Sequence, residues 1–187
     1  MAKVKGNIVT ANMSGQVAKQ LVFIQKHGKT IVCKYPNRSG KIAAKQQAQQ
    51  DKFALGVVYA KNAMLNSTLK DSYTAEAAKR KGVTAYNLAL ADYLKAPEIG
   101  KVNISGYTGD SSGERITIEV KDTFKVVSVK VKIVKANNDL VEEGAAVLNE
   151  GKWVYTTTSS NANPTGGKVV ITATDRPGNV TNYELTI

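Results

Sequence analysis

From residue 41 onward the apolar residues change their spacing once, near Pro97 and Gly100. Residues 41–94 repeat them at helical spacing, and from residue 102 onward they alternate with polar residues as half-buried strands require. A chain with one such switch folds as a helical part followed by a β part, so the expected class is α+β with several domains. The expected division is a polar arm over 1–16, a basic hairpin and helical domain over 17–99, and a seven-stranded β-sandwich over 100–187.

Three helices are expected in the centre. The first follows the turn residues Asn37, Arg38, Ser39 and Gly40, with an apolar stripe of Phe53, Val57, Ala60 and Met64. Asn66 or Ser67 can cap the second by accepting from an early backbone N–H, and Leu69, Tyr73 and Ala77 then face inward. Lys79, Arg80 and Lys81 suit the negative end of that helix, and Gly82 supplies its stop. Thr84 caps the third, where Val83 and Leu88 form a hydrophobic staple and Tyr86, Leu90, Tyr93 and Leu94 the apolar side. Pro97 ends it.

Before the helices, two β-prone runs over 20–25 and 30–34 flank Lys26-His27-Gly28-Lys29, a hairpin turn signal. Leu21, Phe23, Ile31 and Cys33 are expected on one face, and Val22, Ile24 and Val32 on the other. A hairpin apolar on both faces needs cover on both sides, and alone it is only marginally stable. Residues 1–16 are small and polar, and the expectation is an arm that gains order when something pairs with it.

The formal charge is +11, and its distribution is uneven. Residues 1–99 hold 16 Lys+Arg against 5 Asp+Glu, whereas residues 100–187 hold 10 of each. The whole excess lies in the first part, which is therefore the part expected to meet an acidic protein or nucleic acid. Lys26, Lys29, Lys34, Arg38 and Lys41 are the candidate contacts. With one cysteine, Cys33, no disulfide can form within the chain. Residues 1–19 lack the apolar core of a signal peptide, and no apolar run is long enough to span a bilayer. The expected setting is a cytoplasm, a virion assembled there, or export without a cleaved signal.

Seven strands are expected after the switch, over 102–107, 115–120, 126–134, 141–148, 152–158, 168–174 and 180–187. Seven short alternating strands in one such stretch are the pattern of an immunoglobulin-like sandwich. The segment Thr172-Ala173-Thr174-Asp175-Arg176-Pro177-Gly178-Asn179-Val180-Thr181 resembles the last hairpin of bacterial immunoglobulin-like or fibronectin-III-like domains. The resemblance covers the last 88 residues and implies fold, not function. Trp153 is expected in the core where antibody domains have their disulfide. The first 99 residues, by the basic hairpin, the Gln-rich helix into Phe53 and Ala85-Tyr86-Asn87, resemble the front half of small proteins of bacteria and their tailed phages.

No constellation for catalysis is legible. His27 reads as a turn residue and Cys33 as a small buried apolar one. Glu142-Glu143 reads as a solvated pair, and Gly166-Gly167 precedes a strand rather than a phosphate-binding helix. Neither a cofactor site nor a metal site is expected. Ala78, Gly82, Val83 and Leu88 fall at helix-turn-helix spacing, but Lys81 stands where an apolar residue belongs. The reading positions Thr84, Ala85, Tyr86 and Ala89 carry no cation. The expectation is thus a non-enzymatic assembly protein with protein partners, itself among them, in a phage-like particle and without a membrane. The alternative is non-specific nucleic-acid binding by the basic part.

Overall fold

The computed structural model describes residues 2–4, 8, 10, 12–26, 28–36 and 43–187. The chain forms two compact units, Met1–Ala44 and Lys45–Ile187. The boundary between them lies at the start of the first helix. Periodicity reports how each element is half-buried; it is silent on which elements share a core.

The first unit is an antiparallel sheet of four strands, β1 (Ala2–Val4), β2 (Gly15–Val17), β3 (Leu21–Lys26) and β4 (Lys29–Lys34), in the order β1-β4-β3-β2. The expected hairpin is its centre. The segment read as an arm supplies β1 and, with Val17, β2 as outer strands, each three residues long, because a two-stranded hairpin leaves a row of unpaired backbone groups on each edge. The faces differ from expectation. Ladder partners share a face, and the register sets Phe23 opposite Val32 and Ile24 opposite Ile31. One face therefore carries Leu21, Phe23 and Val32, and the other Val22, Ile24, Ile31 and Cys33. His27, Arg38 and Lys41 lie outside the described residues.

The second unit starts with helices α1 (Ala44–Leu65), α2 (Ser67–Ala77) and α3 (Ala85–Leu94). Their caps are those the sequence signals. Asn66 Oδ1 accepts from the Leu69 N–H at 3.0 Å, and Thr84 Oγ1 from the Asn87 N–H at 3.2 Å. Gly82 takes the left-handed conformation (φ 76°) in the α2–α3 turn. The inward side of α1 is turned from the expected stripe: Gly56, Ala60 and Ala63 are buried while Phe53 is 49% exposed. Gly56 explains the turn, since a Cβ there would stand 2.9 Å from Leu90 Cδ1 and 3.1 Å from Tyr93 Cδ1. The missing side chain lets α1 lie against that side of α3. The fully buried side of α3 is a second one, Leu88, Ala89 and Asp92. Among the described residues no helix is long and apolar enough to cross a membrane.

Eight strands follow: β5 (Glu98–Gly106), β6 (Arg115–Lys121), β7 (Val126–Val134), β8 (Leu140–Ala145), β9 (Val147–Asn149), β10 (Lys152–Thr156), β11 (Lys168–Asp175) and β12 (Val180–Thr186). They make two antiparallel sheets, β5-β6-β10-β9 and β12-β11-β7-β8. The fourth expected strand is split at Ala146, whose N–H bonds to the Val129 carbonyl at 2.8 Å. Its first half pairs with β7 and its second with β10, so the chain changes sheets there. Both sheets feed one core. Ile116, Ile118, Trp153 and Tyr155 come from one side, and Val129, Val131, Ile133, Val169, Ile171 and Ala173 from the other. Each fully buried Ile or Val among them stabilises the sandwich by about 1.5–3 kcal/mol.

Helices and sandwich are clasped together within this unit. The Asn179 side-chain amide donates to the Tyr93 carbonyl at 3.1 Å, the Asp92 carbonyl at 3.2 Å and Asp175 Oδ2 at 2.7 Å. Arg80 donates to the Thr123 carbonyl at 2.7 Å, and the Phe124 ring lies 4.3 Å from that of Tyr73.

Candidate functional site

Two places on the chain concentrate charge, one positive and one negative. The positive one is the first unit. Residues 1–44 contain eight Lys and Arg and no Asp or Glu. Of the expected contacts, Lys26 and Lys29 are brought together as opposed partners beside the hairpin turn, both exposed. Like charges so placed repel, and an anion between them removes the cost. Lys34 pairs with Leu21, on the other face and at the far end of the hairpin. Thr30 is the one buried residue of this unit among those described, at 6% exposure. No apolar side chain of the described part reaches full burial there, and Leu21 and Ile24 are each 44% exposed. Cys33 is half-buried, its thiol directed to the Val22 carbonyl at 3.6 Å.

The negative place is where α3 meets the sandwich. Asp92 from the last turns of α3, Asp122 from the β6–β7 connection and Asp175 from the end of β11 each offer a carboxylate oxygen within 4.8 Å of the others. Asp92 is 0% exposed and Asp175 2%. The Asp175 carboxylate is held in place by its own turn: Oδ1 accepts from the Gly178 N–H at 2.9 Å and the Asn179 N–H at 2.6 Å. Asp92 Oδ2 accepts from the Tyr73 hydroxyl at 2.6 Å, and that hydroxyl lies 3.0 Å from the Tyr59 hydroxyl. Asp92 Oδ1 and both oxygens of Asp122 are buried without any donor.

Such crowding has electrostatic consequences. Burial above all, then the charges of Asp122 and Asp175, push the Asp92 carboxyl up to about 7 against the pull of the Tyr73 bond. Burial also raises Asp175, opposed by the Asn179 and Gly178 donors. The Tyr73 phenol is raised by its burial and by its bond to Asp92. Arg176 is the nearby cation, its guanidinium 5.4 Å from the centre of the Phe124 ring.

The sequence reading missed this trio. Its signal was nevertheless present: Asp92 is the only charged residue of α3, four residues after the buried Leu88 and near the helix end where a negative charge is disfavoured.

Glu142 departs from expectation too. It is buried at 7% exposure instead of solvated, because the alternation of β8 turns it inward. Its Oε2 accepts from the Thr158 N–H at 2.7 Å, the Thr158 hydroxyl at 2.6 Å and the Ser159 N–H at 3.1 Å. Burial and the Glu142 charge push the Tyr155 phenol up to about 12. The helix-turn-helix spacing does not yield a reading helix, since Ala89 is fully buried and Tyr86 packs in the helical core. A shallow hollow of about 390 Å³ between Arg115, Val147, Leu148 and Thr156 is lined by no Asp, Glu, His or Cys. No family model, no curated protein and no solved structure matches the chain.

Proposed function

We propose that the protein is a non-enzymatic assembly component that docks through its basic N-terminal sheet onto an acidic protein surface and holds out a neutral sandwich. The observation that carries this reading is the mismatch in the first unit. Its sheet has apolar residues on both faces and buries no described apolar side chain fully, and the sequence of residues 1–44 holds eight Lys and Arg with no Asp or Glu. A sheet in that state gains from a partner that covers apolar area and supplies negative charge. Edge strands of three residues leave room for strand addition as the docking mode.

The displayed part is read as immunoglobulin-like. In favour are the sheet orders β5-β6-β10-β9 and β12-β11-β7-β8, a chain that changes sheets at Ala146, and Trp153 in the shared core. A particle of phage type, assembled in a host cytoplasm, is the setting that fits a docked foot and a displayed sandwich.

The second reading is non-specific nucleic-acid binding, favoured by the absence of any acid in residues 1–44. Cross-linking of the full chain and of residues 45–187 in extracts of the source cell separates the two. The assembly reading expects one acidic protein joined to Lys26 or Lys29 of the full chain and lost with residues 45–187 alone. Cross-links to nucleic acid only, weakening steeply with salt, contradict it.

A further inference from the structure

Three acids on three separate elements converge where the helices join the sandwich, and their bonding is incomplete. Asp175 is fully engaged by donors from its own hairpin, so its position is set by the fold. Asp92 is completely buried, yet only Oδ2 has a donor; Oδ1 has none. Neither Asp122 oxygen has a donor although both are shielded from solvent. A buried carboxylate oxygen left unpaired is costly, more so when charged. Among the described residues no Lys or Arg forms an ion pair with any of the three.

We propose that Asp92, Asp122 and Asp175 form a binding site for one hard divalent cation, of the calcium or magnesium type, that ties α3 to the sandwich. The donors are all carboxylate oxygens, with no sulfur or imidazole among them, which selects hard cations over zinc or copper. A separation within 4.8 Å matches the span of oxygens around one calcium ion, whose bonds are about 2.3–2.6 Å. Waters or nearby carbonyls complete its shell. The ion satisfies the orphaned oxygens of Asp92 and Asp122 at once and offsets the repulsion among three carboxylates. It joins a helix, a loop and a strand end, so its effect is on the stability and rigidity of this junction. The competing occupant is a proton on the buried Asp92, which also relieves its orphaned oxygen but does not respond to calcium.

Calorimetric titration of the metal-stripped full chain with calcium chloride, and with magnesium chloride, tests this directly. The expected result is saturable binding of one ion per chain and a raised unfolding temperature. Asp122→Asn and Asp92→Asn each weaken binding by more than about tenfold, while Asp110→Asn, an exposed acid in the β5–β6 loop, leaves it unchanged. Asp92→Asn keeps a carbonyl to accept from Tyr73, which guards against a variant that simply unfolds. Absence of saturable binding and of any thermal shift with either ion overturns the proposal in favour of the proton. Equal binding by wild type and by a folded Asp122→Asn or Asp92→Asn chain overturns it as well.

Discussion

The Tyr73 hydroxyl donates to Asp92 Oδ2 at 2.6 Å, joining α2 to α3 inside the protein. Both residues are 0% exposed, so this bond forms where water cannot replace it. The same hydroxyl meets that of Tyr59 on α1, which makes Tyr73 the one polar link shared by all three helices.

Replacing Tyr73 by Phe keeps the ring against Phe124 and removes only this link. Asp92 then loses its sole side-chain donor. The expected cost is about 1–3 kcal/mol in urea unfolding at neutral pH. A change within the error of the fit shows that water or the neighbouring acids take over the bond.

The raised Asp92 carboxyl makes the metal-free protein lose stability as pH rises. Its value in the folded chain is about 7, above that of an unfolded aspartate near about 3.9, so folding takes up a proton between the two. The contribution is complete below about pH 4, declines through the interval, and is gone above about 7. Asp175 is shifted in the same direction and adds to the trend. Asp92→Asn should flatten the profile by a few kcal/mol across that interval. Unfolding midpoints measured in chelator from pH 4 to 8 check it; a wild-type profile that rises with pH contradicts it.

Asn179 holds the helices to the sandwich through the Asp92 and Tyr93 carbonyls. Asn179→Ala should cost about 1–3 kcal/mol and speed amide exchange in the last turn of α3 while leaving β7 and β11 unchanged. Unaltered exchange at α3 means that the Arg80 bond to the Thr123 carbonyl, the Thr181 hydroxyl's bond to the Pro97 carbonyl at 2.6 Å and the Tyr73–Phe124 ring contact suffice to hold the junction.

How much of this was legible follows the range of each interaction. Asn66, Thr84 and Gly82 act on neighbours three or four residues away, and the sequence marked them correctly. The alternation of β11, and of β7 from Val129 onward, likewise matches the side chains that enter the core, whereas Val127 at the start of β7 is 54% exposed. The split at Ala146 was hidden because the residues around it are continuously small or apolar and carry no turn signal. Asp92 was lost because a face containing an acid reads as solvent-exposed; its partners, Asp122 and Asp175, are close only in the folded chain. Glu142 failed for the same reason, its donors being backbone amides on another strand's exit. The paired faces of the hairpin depended on register, which a two-residue turn sets and composition does not.

The central claim is that the N-terminal sheet is completed by a partner whereas the sandwich stands alone. Amide hydrogen exchange on the isolated full chain measures this most directly. Strands β3 and β4 should exchange far faster than β7 and β11, whose core residues are fully buried. Protection of β3 and β4 equal to that of β7 and β11, in the chain alone, would contradict the account.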